Sequence, residues 1–229
     1  MTIDIATFPM IDPAVLLEPF NVRMVSYTAP CVDDLETPQQ LIAYCARVSN
    51  PENQNSHETA DRLIKYLIRN SHWSPLEMVD VTLEIEIPRD IGRQILRHAS
   101  FRFQEFSQRY AEAMGFCLPR EARLQDATNR QNSLPTLDTE LTTWWHNTQL
   151  KHIAMAKYDY EDALARGLAK EVARVILPEG LTMSRMYMKG SIRSWIHYLA
   201  VRQDPTTQKE HRALAMAIAD AIKTIWSQP

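Results

Sequence analysis

Five apolar residues at every second position, Val79, Val81, Leu83, Ile85 and Ile87, alternate with Asp80, Thr82, Glu84 and Glu86. A period of two puts one face of an extended chain in a core and the other in water, so this stretch predicts a strand. Val22–Tyr27 predicts a second, short strand, and Thr182–Lys189 a third. Helical spacing appears elsewhere. Thr37 before Pro38 is a capping residue followed by proline in the first turn, and the helix they open carries Leu41, Ile42 and Cys45 to about Arg47. Asn55 and Glu58 have capping-box spacing ahead of a stripe of Leu63, Ile64, Leu67 and Ile68. His72-Trp73-Ser74-Pro75 breaks that helix.

After the long alternating strand, Asp90 to His98 predicts a helix with Ile91, Ile95 and Leu96 inward and Gln94 and Arg97 on another face. Phe101 and Phe103 then alternate with polar neighbours, so the chain is expected to extend. Pro119 to Pro135 is polar and irregular and predicts a surface loop or lid. A long helix is expected from Leu137 to about Arg166, capped by Asp138 and ended at Gly167. Ala169–Leu177 predicts another helix, stopped by Pro178. Ser191–Arg202 predicts an amphipathic one, and Asp204-Pro205 opens a last helix to about Trp226. Helices outnumber strands, and no regular strand–helix–strand repeat, internal repeat or linker divides the chain. The expected fold is α+β: one helix-rich domain over residues 1–229 with a small twisted sheet. Residues 1–20, broken by Asp4, Pro9, Asp12, Pro13 and Pro19, predict an N-terminal arm lying on the body or a neighbouring subunit.

Composition narrows the function classes. The 229 residues are 45% hydrophobic and 23% charged, with five glycines and a net charge of −3. That is an ordinary globular composition without low-complexity sequence. The acidic balance argues against general nucleic-acid binding and makes any anion site local. The three scattered cysteines, Cys31, Cys45 and Cys117, show neither CxxC spacing nor an even count, so neither a disulfide framework nor a zinc site is expected. No stretch resembles a signal peptide or a membrane span, and the expected compartment is the cytoplasm, without membrane attachment.

The chemistry concentrates in Arg97-His98-Ala99-Ser100-Phe101-Arg102-Phe103-Gln104-Glu105-Phe106-Ser107-Gln108-Arg109-Tyr110. Arginine forks suit phosphate because they donate parallel, charge-assisted hydrogen bonds. Ser107 adds a hydroxyl, and Glu105 accepts from a ring N–H or a sugar hydroxyl. The alternative is a solvated arginine face with salt bridges; the interleaved Phe101, Phe103 and Phe106, expected to anchor the segment in the core, count against it. Two clusters lie downstream. By residue type alone, Arg174 in Glu171-Val172-Ala173-Arg174 is a salt-bridge partner of Glu171 or Asp162. His197, four residues from Arg193, is by type alone a core histidine. Ser107 has no neighbouring histidine–acid pair, so it is assigned to binding rather than covalent catalysis.

These segments together resemble the flavin-dependent thymidylate synthases. The family's signature is Arg-His-Arg, seven residues, then Ser, and often Arg-Tyr; Arg97-His98-Ala99, Ser107 and Arg109-Tyr110 keep that spacing with alanine in place of the third arginine. Ala46-Arg47-Val48-Ser49, His72-Trp73-Ser74-Pro75, Glu171-Val172-Ala173-Arg174 with Leu177-Pro178, and Arg193-Ser194 with His197 and Arg202 are similar to further family segments in the same order. Together they cover about Ala43 to Glu210. Ser100 to Ala111 and the Gln208-Lys209-Glu210-His211 ending resemble the virus-encoded branch.

The resemblance implies the thymidylate synthase-complementing fold assembled as a homotetramer with active sites shared between subunits. It implies dUMP as substrate, methylenetetrahydrofolate as carbon donor, NADPH as reductant, FAD as cofactor and dTMP as product. By position, Gln94, Ile95, Leu96, Arg97, Glu105, Phe106, Ser107, Gln108, Arg109, Arg174 and Arg202 line the dUMP site. Ser74, Arg97, His98, Ala99, Glu105, Ser191, Ile192, Arg193 and His197 contact FAD. Arg202 is the expected catalytic residue, polarising the uracil, and no metal is implied. Two positions depart from the pattern. Ala99 removes a cation, which Arg102 would restore if the loop turns back, and Thr206 stands where many members carry histidine. Two other readings stay open at this stage: an FAD- and folate-dependent dUMP hydroxymethylase, and a non-catalytic nucleotide- or RNA-binding protein.

Overall fold

The structure, a computed structural model, describes residues 13–226. The N-terminal arm expected over residues 1–20 therefore lies largely outside the described residues. Its described end forms β1 (Leu16–Leu17), which pairs in parallel with β5 (Phe116–Cys117). The other strands are β2 (Asn21–Tyr27), β3 (Asp80–Pro88), β4 (Arg102–Glu105), β6 (Arg123–Gln125), β7 (Ser133–Pro135) and β8 (Met183–Ser191). The helices are α1 (Pro38–Ala46), α2 (Ala60–Arg69), α3 (Arg89–Ile95), α4 (Thr139–Ala165), α5 (Lys170–Ala173), α6 (Ile192–Arg202) and α7 (Lys209–Trp226). Helix and strand segments mix without a repeat, as the α+β reading expects.

The main sheet is antiparallel, in the order β2-β3-β8-β4. The alternating strand β3 lies inside it, with Val81, Leu83, Ile85 and Ile87 fully or almost fully buried. They meet Met186 and Met188 of β8, Ile192, Trp195 and Tyr198 of α6, and Leu214, Ala215 and Ile218 of α7 in one core. The opposite sheet face carries a ladder of charges. Arg23 lies 2.9 Å from Glu84, Arg185 lies 2.5 Å from Glu86, and Lys189 lies 3.0 Å from Asp80. Val25, Tyr27 and Tyr187 are exposed. An antiparallel sheet with one helix-covered face gives this in/out alternation.

The ends of several elements differ from expectation. Thr37 caps α1 through a complete capping box with Gln40, and Asp138 caps α4 by accepting from the Leu141 N–H at 2.9 Å, both as the residues predict. The Asn55/Glu58 box does not form. The chain there makes a tight 3₁₀ turn, His57–Thr59, and Thr59 Oγ1 accepts instead from Arg47 at 2.5 Å. α3 stops at Ile95, so Arg97 stands beyond the helix rather than on a face shared with Gln94. The last helix begins at Lys209. Asp204 is occupied by a local turn, accepting from the Thr206 N–H at 2.8 Å and hydroxyl at 2.6 Å, which is the alternative to capping open to a short acidic side chain. The Pro119–Pro135 stretch, expected to be irregular, contains the antiparallel pair β6–β7, and Arg123 ties it to Glu210 of α7 at 2.6 Å.

Candidate functional site

The segment after α3 is fixed by backbone turns and one aromatic anchor. The His98 N–H donates to Ile95 O at 3.0 Å, and the Phe101 N–H donates to His98 O at 3.1 Å. Phe101 is buried, its ring edge-on to Trp195 at 4.7 Å and to Tyr198 at 5.9 Å. Burying such a ring contributes about 1.5–3 kcal/mol. Gly190 of β8 makes room for it, since a Cβ there would lie 2.5 Å from the Phe101 ring. Phe103 and Phe106 are half-buried, so one of the three aromatics does most of the anchoring. The polar residues around Phe101 are thereby held at the edge of the core.

Arg202, at the end of α6, reaches this segment. Its Nε donates to His98 Nε2 at 2.9 Å. Arginine cannot accept, so His98 is neutral there with its proton on Nδ1. Burial lowers the His98 pKa, and the nearby Arg202 and Arg97 charges lower it further. The remaining guanidinium nitrogens of Arg202 have no hydrogen-bond partner among the described residues, and Arg202 lines a cleft of about 680 Å³ with Thr206, Thr207, Gln208 and Gln131. Thr206, the expected departure from the family pattern, thus lies beside the expected catalytic arginine.

Behind Arg202 runs a buried polar chain. The Tyr198 hydroxyl meets His211 Nε2 at 3.0 Å, and His211 Nδ1 meets Gln94 Oε1 at 3.1 Å. Gln94 Nε2 donates to Gln208 Oε1 at 2.7 Å, and Gln208 Nε2 donates to Glu210 Oε2 at 3.0 Å. With His211 neutral and protonated on Nδ1, every donor in this chain points from Tyr198 toward Glu210. His211 is fully buried, and burial, then the Arg202 and His98 charges, push its pKa down to about 3. The sequence patterns alone do not reveal His211 or Tyr198, because a buried histidine and a tyrosine on a helix look like ordinary core residues.

Glu105 sits in β4. Its Oε1 accepts from Arg93 at 2.6 Å and from the Ser184 hydroxyl at 3.1 Å, while Oε2 has no hydrogen bond among the described residues. One oxygen is thus held and the other is free. Arg89, Arg93 and Ser184 were not expected here; Arg93 lies one helical turn before the signature on α3, the only sequence signal for it. Arg109 pairs with Glu171 at 3.3 Å across an exposed surface, a weak tie that leaves the guanidinium available. Asp162 pairs with Arg166 at 2.7 Å, so neither carboxylate expected to hold Arg174 does so. Arg174 and Arg97 have no side-chain hydrogen bond or ion pair among the described residues. Gln108 is buried, with Nε2 unpartnered among the described residues, an orphan donor of the kind a ligand or a neighbouring subunit satisfies. The Ile95 side chain is fully buried, so it has only backbone to offer a ligand; Leu96 is half-buried against the core.

A second cleft, of about 520 Å³, opens where α6 leaves β8. Ala99, Ser100, Arg102, Lys189, Ser191, Arg193 and His197 line it, with Glu77 and Asp80. It gathers four of the residues expected at a flavin. His197 is exposed, its ring edge-on to Trp73 at 4.6 Å, and is not the core histidine that residue type alone suggests. Arg193 pairs with Glu77. Ser191 caps α6, whose N-terminal end carries partial positive charge and favours an anion. Ile192 is buried beneath the cleft. Ser74 begins a 3₁₀ turn, Ser74–Glu77, that brings Glu77 to the rim. The donor set, with cations, hydroxyls and an open face, fits a phosphate-bearing cofactor. Among the described residues, no His, Cys, Asp and Glu side chains gather as a set that could hold a metal ion.

Comparison with known proteins decides the family. The profile described as "Thymidylate synthase complementing protein" matches residues 30–226. The chain belongs to this family. It is 50% identical over 197 residues to a protein named "Probable flavin-dependent thymidylate synthase" from Paramecium bursaria Chlorella virus 1, covering 86% of this chain and 91% of that one. It is 52% identical over 201 residues to a "Flavin-dependent thymidylate synthase" from Synechocystis sp., with the same coverage. Among solved structures it is similar to the UMP/dUMP methylase PolB from Streptomyces cacaoi bound with 5-Br dUMP. That likeness has a TM-score of 0.77 at 25% identity and covers 92% of both chains. Family membership thus agrees with the resemblance carried by Arg97–Tyr110. Among the described residues, no helix is long and apolar enough to cross a membrane.

Proposed function

We propose that this member of the thymidylate synthase complementing family catalyses reductive methylation of dUMP to dTMP, with methylenetetrahydrofolate as carbon donor and NADPH as reductant. The observation that carries the reading is Arg202, held through Nε by neutral His98 at an open cleft, its remaining nitrogens without a hydrogen-bond partner among the described residues. For C5 of uracil to attack the folate methylene, negative charge must develop in the ring. A guanidinium placed at the ring oxygen and N3 stabilises that charge as it forms. C5 then carries the new carbon and loses its proton, the carbon–nitrogen bond to the folate breaks to release tetrahydrofolate, and the exocyclic methylene left on the ring gains a hydride to become methyl. FAD, when bound, relays that hydride from NADPH.

The other residues divide by position. Arg97, Arg109 and Arg174, free or weakly tied, suit the nucleotide phosphate, and Ser107 and Gln108 suit its remaining oxygens. The free Glu105 Oε2 accepts from a ring N–H or hydroxyl. The cleft of Ala99, Ser191, Arg193 and His197 takes FAD, with Ser74 and His98 at its approaches. No step needs a cysteine nucleophile: Cys117 is buried, which raises its thiol pKa, and Cys45 is half-buried and raised for the same reason. We further propose a homotetramer with shared sites. The helix-free face of the sheet and the exposed Val172, Val175 and Ile176 beside Arg174 support it.

The purified chain is expected to carry or take up FAD, and NADPH added without oxygen is expected to bleach the flavin absorbance. A chain that stays colourless after incubation with FAD would sink the reading.

A further inference from the structure

The cleft above Ser191 contains three cations, and two of them are already neutralised. Arg193 pairs with Glu77, and Lys189 Nζ lies 3.0 Å from Asp80 Oδ2. Arg102 differs. Although Glu77 and Asp80 line the same cleft, Arg102 makes no ion pair among the described residues; its Nη1 donates only to main-chain carbonyls, Phe101 O at 3.1 Å and Ala99 O at 3.4 Å. Carbonyl dipoles do not cancel a guanidinium charge, and most of its N–H donors remain unused.

Its place in the sheet sharpens the point. In the antiparallel register of β4 and β8, Arg102 is directly opposite Lys189. Asp80 compensates Lys189 across that register, so the charge of Arg102 is the one left unpaired on this wall. A single uncompensated guanidinium beside two paired cations suits an incoming anion. The bond to Ala99 O shows how the guanidinium gets there: the turn anchored by Phe101 doubles back, so the side chain of Arg102 comes to the wall where Ala99 offers only a methyl group.

We propose that Arg102 is a phosphate-gripping residue of the flavin cleft, supplying to the pyrophosphate of FAD the charge that Ala99 does not. The inference rests on the flavin reading above and deepens it by naming the residue and the part of the cofactor it holds. A charge-assisted bidentate contact of this kind carries a definite penalty when removed, roughly ten- to hundredfold in affinity.

The test titrates FAD into the flavin-stripped wild-type chain, Arg102→Ala, and the double variant Ala99→Arg/Arg102→Ala, following flavin fluorescence. The thermal midpoint of each stripped protein is recorded alongside. Ala99 is exposed, so an arginine there extends into the cleft without displacing the core. The expected result is a Kd for FAD raised roughly ten- to hundredfold in Arg102→Ala. The double variant should return to within a few-fold of wild type. The midpoint of stripped Arg102→Ala should be little changed, because Arg102 is exposed and makes no ion pair among the described residues; a purely structural residue would lower it. An unchanged Kd in Arg102→Ala, or a loss that the double variant does not recover, overturns the inference. A wild-type chain that takes no FAD instead overturns the flavin reading on which it rests.

Discussion

Arg202 and His98 form a pair in which each sets the condition for the other. His98 accepts from Arg202 only while neutral, and burial together with two neighbouring arginines keeps it so. Replacing Arg202 with alanine is expected to lower kcat by about a hundred- to a thousandfold, the usual scale for losing a preorganised charge at a developing anion. Flavin absorbance should be retained; turnover of dUMP and the visible spectrum of the variant check the two halves. His211 gives a prediction about stability. Its pKa in the fold is about 3, below the ordinary 6.5, so the unfolded chain takes up the proton first. Stability from this group is therefore complete above about pH 6.5 and falls as pH descends toward about 3. At pH 4.5 the wild type should lose about 2–3 kcal/mol more, relative to pH 7, than His211→Gln, as measured by urea unfolding. Equal losses in the two proteins would contradict the neutral, buried assignment.

Among the elements, β8 joins the cleft above Ser191 to the core, and Gly190 is its tightest point. Gly190→Ala would press a methyl group to within 2.5 Å of the Phe101 ring. It is expected to destabilise the fold by about 1–3 kcal/mol in urea titration. Flavin binding should weaken with it, because the turn from Arg97 to Arg102 hangs on Phe101. The importance of β8 was hard to read from sequence. β3 announces itself by strict alternation of polar and aliphatic residues, whereas β8, which alternates in burial too, fills its buried positions with Ser184, Met186, Met188 and Gly190, a weaker apolar signal than valine, leucine and isoleucine. Helix starts at Thr37 and Asp138 were legible because a short polar side chain has one local task there. Asp204 had two tasks open to it and took the turn. The clefts were legible in part: Ala99, Ser191, Arg193 and His197, grouped by the resemblance, line one cleft, while Lys189 and Glu77 reach the same place through strand register and a 3₁₀ turn that no local pattern encodes.

At the scale of the whole molecule, the described chain leaves one sheet face without helices and leaves Arg97 and Arg174 unpartnered. If active sites are shared between subunits, as proposed, two defects on different subunits complement each other. Arg97→Ala and Arg174→Ala should each be nearly inactive alone. Unfolding and refolding them together should recover part of the wild-type turnover, and light scattering should give the mass of a tetramer. No recovery on mixing would place both residues in a site built from one subunit. The central claim concerns the product. The direct measurement is anaerobic turnover of dUMP with NADPH, FAD and methylenetetrahydrofolate carrying an isotopic label on its methylene carbon, followed by mass spectrometry of the nucleotide. The account predicts labelled dTMP; labelled hydroxymethyl-dUMP, or dUMP recovered unchanged while the flavin is reduced, would contradict it.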